Sequence, residues 1–262
     1  MHKKFKYIYG PVFSWRLKSS LGIDLVSLQK KMCNFNCIYC QLGPTKRYTT
    51  ERKIYVPLKE LIKELERLPE IKIDYITFSG SGEPTLARNL GEVIKTIKKI
   101  RKEKIAVLTN SSLMDKEEVR KDLSLADFVI AKLDAYSPDS LQKINSPHGK
   151  IEFAGILDGM IKFKKEYKTR LALRIMFIDK NKDNVNKFIY LTNSIKPDEV
   201  QINTPLRTCN IKPLSREEVF KIKEIFVSAC KEVEIVSVYD KRLFKEVVPL
   251  NEEDTLKRRT MQ

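Results

Sequence analysis

Three cysteines lie within eight residues in the stretch Met32-Cys33-Asn34-Phe35-Asn36-Cys37-Ile38-Tyr39-Cys40. Iron–sulfur clusters are normally held by four thiolates, so three closely spaced thiols without a fourth leave one iron open to a substrate or cofactor. Structural zinc needs four ligands, and the remaining candidates are isolated in the sequence: His2, His148, Cys209 and Cys230. The spacing favours a cluster, while zinc and redox thiols remain open.

The composition indicates one α/β domain without a membrane span. With 262 residues, of which 42% are hydrophobic, the chain can bury one large core. No stretch approaches about 18 consecutive apolar residues, and the first residues lack the apolar run of a secretory signal. We therefore expect a cytoplasmic protein, in which clustered cysteines more often hold metal or do chemistry. Cys209 and Cys230 are interpreted as small buried residues without a role.

Short β-branched runs alternate with amphipathic stretches, which predicts βα units and a parallel sheet. The predicted strands are Gly22–Val26, Tyr75–Ser79, Ile105–Thr109, Phe128–Lys132, Leu171–Phe177 and Glu199–Asn203. The predicted helices are Val56–Leu68, Asn89–Ile100, Lys116–Leu123, Ser137–Ile144, Ile151–Tyr167, Lys182–Ser194 and Ser215–Cys230. Right-handed connections would curl the six strands into a partial (β/α)6 TIM-like barrel, short of a closed eight-stranded one.

Polar and unusual residues follow the predicted strands where each strand ends. In parallel α/β folds the chemistry lies at the carboxyl ends of the strands. The first strand leads to Cys33 and the second to the turn Gly80-Ser81-Gly82-Glu83-Pro84. Later strands lead to Asn110, Asp134 and Asn203. The sequence therefore predicts one site at this end of the barrel.

The spacing of Cys33, Cys37 and Cys40, with aromatic Tyr39 before the third cysteine, resembles the signature of the radical S-adenosylmethionine (SAM) superfamily. The resemblance implies a radical SAM core in which these cysteines bind three irons of a [4Fe–4S] cluster and SAM chelates the fourth. It also implies a reductant of flavodoxin or ferredoxin type. One electron would cleave SAM to a 5′-deoxyadenosyl radical that abstracts a substrate hydrogen.

The segment from Tyr75 to Leu86 is similar to the superfamily's second strand and its Gly-Gly-Glu-Pro turn. The similarity implies that Gly80, Ser81, Gly82 and Glu83 contact SAM. Ser81 replaces the first glycine of the usual pair, so the role carries over best to Gly82 and Glu83. Polar residues at later strand ends would meet the rest of SAM: Lys132 or Asp134, Arg174, Asn203 and, in addition, Asn110. A structural pairing of Arg174 and a helix cap by Asn110 are the alternatives.

A closer resemblance is to small stand-alone bacterial and archaeal radical SAM proteins classed near wyosine-base synthetases. It rests on the segments 10–16, 21–24, 37–43, 109–110, 145–148 and 201–205. Of that group's Ser-Arg-Arg, only Arg16 carries over. The resemblance predicts a radical SAM core over residues 1–214, with a basic N-terminal segment, and a helical, charged segment over 215–262 packed on the core.

Basic residues are concentrated near the amino terminus. The formal net charge is +16, and residues 1–53 carry +9 of it. Aromatic residues are interleaved with these cations: Tyr7, Tyr9, Phe13 and Trp15. Cations neutralise phosphates and exposed aromatics stack on unpaired bases, so we predict that this segment binds a tRNA substrate. Packing of the same aromatics against the barrel is the alternative.

Two classes of function remain at this point. The favoured one is a radical SAM oxidoreductase or modifying enzyme, acting on tRNA or else on a peptide or small molecule. The other is a noncatalytic iron–sulfur or zinc module with a basic surface. The Gly82-Glu83 turn favours the enzyme, because a simple metal module has no reason to carry a SAM-binding strand end.

Overall fold

Eight strands form one continuous sheet in the computed structural model, which describes residues 5–26, 31–240 and 247–257. In chain order the strands are β1 (Ile8–Ser14), β2 (Lys18–Ile23), β3 (Met32–Cys33), β4 (Arg47–Tyr48), β5 (Tyr75–Phe78), β6 (Lys104–Thr109), β7 (Phe128–Lys132), β8 (Arg170–Met176), β9 (Glu199–Asn203) and β10 (Glu234–Ser237). The large sheet has the order β1-β2-β5-β6-β7-β8-β9-β10, while β3 and β4 form a separate pair. Neighbours in the large sheet run parallel except β1, which is antiparallel to β2.

Helices follow the parallel strands and pack their apolar sides on the sheet. They are α1 (Leu58–Glu66), α2 (Leu90–Ile100), α3 (Glu117–Ser124), α4 (Pro138–Asn145), α5 (Phe153–Glu166), α6 (Val185–Ile195), α7 (Arg216–Ala229) and α8 (Glu252–Lys257). In α2, for example, Val93, Ile94 and Ile97 are fully buried at the predicted three- and four-residue spacing. The alternation confirms the predicted α/β fold with a partial parallel barrel.

The turn between β1 and β2 closes the amino end of the barrel interior. Leu17, in this turn, packs with buried side chains of β6, β7 and β8: Ala106, Phe128, Ile130 and Ala172. Ala106 and Phe128 lie near the beginnings of their strands, so Leu17 lies opposite the carboxyl ends where the predicted site residues are. Leu17 therefore fills the barrel interior at the end away from the predicted site.

The first predicted strand was placed too late in the sequence. It begins at Lys18 instead of Gly22, and β1 precedes it. Ser19 and Ser20 made this stretch look like a loop, but both are buried in the sheet, where the Ser20 hydroxyl hydrogen-bonds that of Thr77 at 2.6 Å. The division at residue 214 stays a prediction, and β10, which follows it, extends the same sheet.

The last described segment, residues 247–257, packs on β1. The N–H of Leu250 donates to the carbonyl of Gly10 at 2.6 Å, and the N–H of Gly10 donates to the hydroxyl of Thr255 at 3.1 Å. Both polar backbone groups of Gly10 are thereby paired, although β1 is an edge strand. Within the described part of the chain, no helix combines the length and apolarity needed to cross a membrane.

Candidate active site

A cavity of about 450 Å³ lies at the carboxyl ends of the strands, and all three predicted cysteine ligands line it. Six of the eight predicted SAM contacts line the same cavity: Gly80, Gly82, Glu83, Asn110, Arg174 and Asn203. Ser81 and Asp134 lie behind this wall, where they bond to residues that line it. The structure thus brings the predicted site residues together, while their individual SAM contacts stay predictions.

The cysteine loop is held from two sides. On one side the N–H of Met32 donates to the carbonyl of Ser81 at 3.2 Å. On the other side the end of α4 accepts two hydrogen bonds from the loop: Asn36 N–H to the carbonyl of Asn145 at 2.8 Å, and Ile38 N–H to that of Ile144 at 3.0 Å. These bonds fix the loop between the turn after β5 and the end of α4.

Side-chain donors point at two of the three sulfurs. Asn145 Nδ2 lies 3.2 Å from Cys37 Sγ, and Lys132 Nζ lies 3.7 Å from the same atom. Asn110 Nδ2 lies 3.6 Å from Cys33 Sγ. Burial, together with the nearby Glu83 and Cys37, raises the pKa of Cys33 to about 12. A bound metal cation removes this penalty, because it deprotonates a coordinating thiol.

Glu83 ties three segments together at the cavity wall. Its Oε1 accepts hydrogen bonds from Thr85 N–H and from the hydroxyls of Thr85 and Thr109, and its Oε2 accepts from Asn110 N–H at 2.6 Å. Burial raises the pKa of Glu83, although these four donors oppose the shift. The carboxylate therefore already has protein partners, which connect the end of β6 to the turn after β5.

Asp24, just after β2, shapes the glycine turn and was not among the predicted site residues. The Asp24 side chain is buried, and its Oδ2 accepts a hydrogen bond from Ser81 N–H at 2.8 Å and another from the Ser81 hydroxyl. Gly80 has a φ of +145°, and a Cβ there would lie 2.3 Å from the Asp24 carboxyl carbon. The serine in place of the usual glycine thus has a partner of its own.

Gly82 allows the cysteine strand to approach the turn. It pairs with Met32 in a parallel bridge. A Cβ at Gly82 would lie 1.7 Å from the carbonyl oxygen of Met32, so no other residue fits without displacing the backbone. This contact brings Cys33, the next residue, to the cavity wall beside Glu83.

A buried polar network joins Tyr39 to the end of β7. The hydroxyl of Tyr39 donates to Asp134, which also accepts from the N–H of Met176 at 2.7 Å. Lys132 lies 3.3 Å from the same carboxylate and 4.9 Å from the centre of the Tyr39 ring. Burial opposes the charge on Lys132, but the neighbouring Cys37 and Asp134 outweigh it and raise its pKa. Asp134 therefore positions Tyr39 and Lys132 from behind the cavity wall.

Arg174 and Asn203 line the wall opposite the glycine turn. Arg174 Nε is buried and has no hydrogen-bond partner among residues 5–26, 31–240 and 247–257. Asn203 Oδ1 accepts a hydrogen bond from Thr204 N–H at 2.9 Å. In the described part of the chain, Asn203 Nδ2 donates no hydrogen bond. Asn110 does not cap a helix, because α3 begins only at Glu117. Its Nδ2 donates to Asn34 Oδ1 at 2.7 Å.

Two further asparagines support the cysteines, and composition and spacing alone gave no reason to select them. Asn34 is fully buried between Asn110 and Ser112, whose hydroxyl lies 2.6 Å from its Nδ2. Asn145 donates to Cys37 and, at 3.2 Å, to the hydroxyl of Tyr39. In the sequence, Asn145 stands out only as part of the segment 145–148, which resembles that of related proteins. An asparagine in the loop and another at a helix end are common in any protein, so only the contacts reveal their role.

The four N-terminal aromatics differ in exposure, and two of them are not available for stacking on a base. Tyr7 and Tyr9 are buried, and Phe13 and Trp15 line the cavity from the inside. Tyr9 packs against Gly22, where it fills the space of the absent side chain. The alternative, packing against the barrel, therefore holds for Tyr7 and Tyr9, while Phe13 and Trp15 are half-buried. Lys3 and Lys4 lie outside the described residues.

The residues of this wall fit an iron–sulfur cluster with SAM. Three thiols share one cavity with amide and ammonium donors, and a buried guanidinium nitrogen of Arg174 has no hydrogen-bond partner within the part of the chain that the structure describes. Among the described residues no three His, Cys, Asp or Glu side chains converge on one ion. A [4Fe–4S] cluster does not require such convergence, because each thiolate binds a different iron.

Comparison with known proteins agrees with this geometry. The family model described as "Radical SAM superfamily" matches residues 31–191. A UPF0026 protein of Synechocystis, slr1464, is 43% identical over 218 residues, which cover 83% of this chain and 81% of that protein. The UPF0026 protein MJ1312 of Methanocaldococcus jannaschii is 36% identical over 228 residues, which cover 83% of this chain and 70% of that protein.

Among solved structures, archaeal TYW1 shares the fold. Its crystal structure aligns with a TM-score of 0.59 and 19% identity, covering 82% of this chain and 74% of that one. The family match spans more than half of this chain and contains all three cysteines. This chain therefore belongs to the radical SAM superfamily, and it is a radical SAM enzyme with a [4Fe–4S] cluster and SAM as cofactors.

Proposed function

We propose that this radical SAM enzyme modifies an RNA, with tRNA as the substrate to test first. The observation that carries the proposal is an exposed pair of rings beside the cysteine strand. Tyr48 is 42% exposed, and its ring centre lies 5.0 Å from that of His148. The closer resemblance to proteins classed near wyosine-base synthetases supports the same substrate class.

Exposed cations lie next to this ring pair in the sequence. They are Lys46, Arg47 and Lys150, and together with Tyr48 and His148 they define the Tyr48 patch. Single-stranded RNA is bound by aromatic rings that stack on unpaired bases and by cations that neutralise phosphates. The patch combines both features, and Lys46 and Arg47 belong to the basic segment 1–53. Within the segment 1–53, the proposed RNA-binding residues are therefore near its end, at Lys46, Arg47 and Tyr48, instead of near its start.

The Tyr48 patch borders the cavity. Tyr48 pairs with Cys33 across β3 and β4, and the N–H of Arg47 donates to the carbonyl of Lys31 at 3.1 Å. Lys31 and Cys33 both line the cavity. An RNA held on the patch would therefore lie beside the cavity, and enzymes that act on a base take it out of the stack into such a pocket.

The residues of the cavity divide the work. Cys33, Cys37 and Cys40 would hold the cluster, and Arg174 and Asn203 would bind polar groups of SAM. When bound, the two cofactors supply a carbon radical able to remove a hydrogen atom from the substrate. At the other end of the cavity Phe13, Trp15, Leu17, Leu108 and Ile130 form an apolar surface that excludes water from the reacting groups.

Binding of an unmodified tRNA transcript tests the proposal. Affinity should fall steeply with added salt, and Tyr48→Ala should weaken binding by roughly 1–3 kcal/mol, the range for one base stack. Tyr48→Phe keeps the ring and should bind nearly as the parent does. Lys46→Ala should reduce the salt dependence.

Tyr190→Ala is the matched control, because Tyr190 is 72% exposed on α6, away from the cysteine loop. Lys99→Ala, on the exposed side of α2, controls for the loss of one charge. Weak binding that does not depend on salt, or equal effects of the Tyr48 and Tyr190 variants, would overturn the proposal. That result would favour a peptide or small molecule bound inside the barrel.

A further inference from the structure

The three cysteines of the cluster site have unequal electrostatic surroundings. Cys37 Sγ faces the amide of Asn145 and the ammonium of Lys132. Cys33 Sγ faces the amide of Asn110 and the backbone of Phe35, and near it the charge of the Glu83 carboxylate outweighs that of Lys31. Within residues 5–26, 31–240 and 247–257, no side chain donates a hydrogen bond to Cys40 Sγ. Among the three sulfurs, the ammonium of Lys132 is therefore in direct contact with that of Cys37, while its effect on Cys40 is smaller.

The ammonium of Lys132 has a fixed position. It contacts Cys37, Asp134 and the Tyr39 ring, and its side chain is only 18% exposed. Asp134 is itself fixed by hydrogen bonds from the Tyr39 hydroxyl and from Met176 N–H. Because the ammonium cannot turn away into solvent, its charge acts on the Cys37 sulfur at a constant distance and with little screening by water.

Asn145 is the second donor at this sulfur, and it belongs to the element that holds the loop. It is the last residue of α4, and its side chain donates to both Cys37 Sγ and the Tyr39 hydroxyl. Its carbonyl accepts from Asn36 N–H. A single residue thus fixes the loop backbone and directs an N–H at the sulfur.

Reduction adds one negative charge to an iron–sulfur cluster. Nearby cations and donors to the cluster sulfurs stabilise the reduced state, and they are known means by which proteins set cluster potentials. We propose that Lys132 and Asn145 are positioning residues that raise the reduction potential of the [4Fe–4S] cluster through the Cys37 sulfur. Lys132 contributes the larger part, because it carries a full charge and the amide only a dipole.

The midpoint potential of the reconstituted cluster, measured without SAM or RNA by a redox titration followed by electron paramagnetic resonance, tests the proposal. Lys132→Met keeps the length of the side chain and should shift the potential to a more negative value. Lys132→Arg keeps the charge and should stay close to the parent. Asn145→Leu should shift the potential in the same direction as Lys132→Met, but less.

Lys164→Met is the matched control. Lys164 is also a partly buried lysine paired with an aspartate, Asp198 at 2.6 Å, but it lies at the end of α5 and does not line the cavity. The midpoint potential of the cluster in the Lys164→Met variant should equal that of the parent. An unchanged potential in Lys132→Met with full iron content would overturn the proposal, as would a change seen only when SAM is present.

If Lys132→Met does not retain the cluster, Asn145→Leu and Asn145→Gln decide the question. Glutamine keeps an amide donor near the sulfur, so the leucine variant should have the more negative potential of the two. Equal potentials would overturn the proposal. Because no RNA enters the measurement, its outcome is independent of the proposed substrate.

Discussion

The carboxylate of Asp24 accepts hydrogen bonds from both the backbone N–H and the hydroxyl of Ser81. This pair joins the end of β2 to the turn after β5. A glycine, the usual residue at the position of Ser81, would offer only the N–H. The serine thus adds a second hydrogen bond to the connection between the two strand ends.

We expect this connection to appear as coupling between the two residues. Asp24→Ala leaves buried donors unpaired and should lower the free energy of unfolding by about 2–4 kcal/mol, whereas Ser81→Gly should cost about 1–2 kcal/mol. The double variant should cost less than the sum, because the lost interaction is shared. Urea unfolding of the apoprotein measures this, and strict additivity would show that the pair is not coupled.

The three clustered cysteines should each be required for the cluster. After anaerobic reconstitution the parent should bind close to four iron and four sulfide, as expected for a [4Fe–4S] cluster. Replacement of Cys33, Cys37 or Cys40 by alanine should abolish it. Cys209→Ala and Cys230→Ala should retain it, because neither residue lines the cavity. Zinc in place of iron in anaerobically purified protein would contradict the assignment.

Gly82→Ala should separate the cysteine strand from the glycine turn. The added methyl group would overlap the Met32 carbonyl, so the bridge that positions Cys33 must open. We expect a lower iron content and a lower melting temperature. Gly155→Ala is the control, because its Cβ would meet Asp115 at an ordinary 3.8 Å and alanine favours a helix by roughly 0.5–1 kcal/mol. Full iron content in Gly82→Ala would show that the loop adapts.

Glu83→Ala should affect both stability and SAM binding. Four donors lose their acceptor, so the free energy of unfolding should fall by more than about 2 kcal/mol. SAM affinity should fall by about 1.5–3 kcal/mol if the carboxylate also accepts from the SAM amino group, while the cluster remains. Calorimetric titration and iron analysis measure the two effects.

The variants Thr85→Val and Thr109→Val separate the effect on stability from the effect on SAM binding. Each removes a donor to Glu83 but leaves the carboxylate, so stability should fall while SAM affinity is retained. Equal SAM affinity of Glu83→Ala and the parent would limit Glu83 to a structural role.

Much of the site could be predicted because its residues follow recognisable strands. The bounds of β7 and β9 agree with the sequence pattern, since β7 is an apolar run ending at Lys132 and β9 alternates polar and apolar residues up to Asn203. Strand β1 was not predicted, and the start of β2 was placed four residues late, because Ser19 and Ser20 of β2 are polar yet buried in the sheet. Strand β10 was missed because it has only four residues, and Ser237, a polar residue, is the one that is buried. Periodicity cannot detect polar groups that find partners only after folding.

The same limit explains the functional residues that were missed. Asp24 looks like an ordinary surface charge in the sequence, and its partner Ser81 lies 57 positions away. Asn145 reaches Cys37 across 108 positions. Tyr48 became a candidate only through its ring contact with His148. Contacts over such separations depend on the topology of the sheet, which no local pattern specifies.

The docking of the chain end on Gly10 has a consequence for biosynthesis. The bond from Gly10 to Thr255 spans 245 positions, so the outer edge of β1 at Gly10 stays unpaired until nearly all of the described chain has left the ribosome. Until then the nascent protein presents an unpaired β-edge, which is a template for association with other chains. Helix α8, the last in the described part of the chain, thus covers Gly10 only late in synthesis.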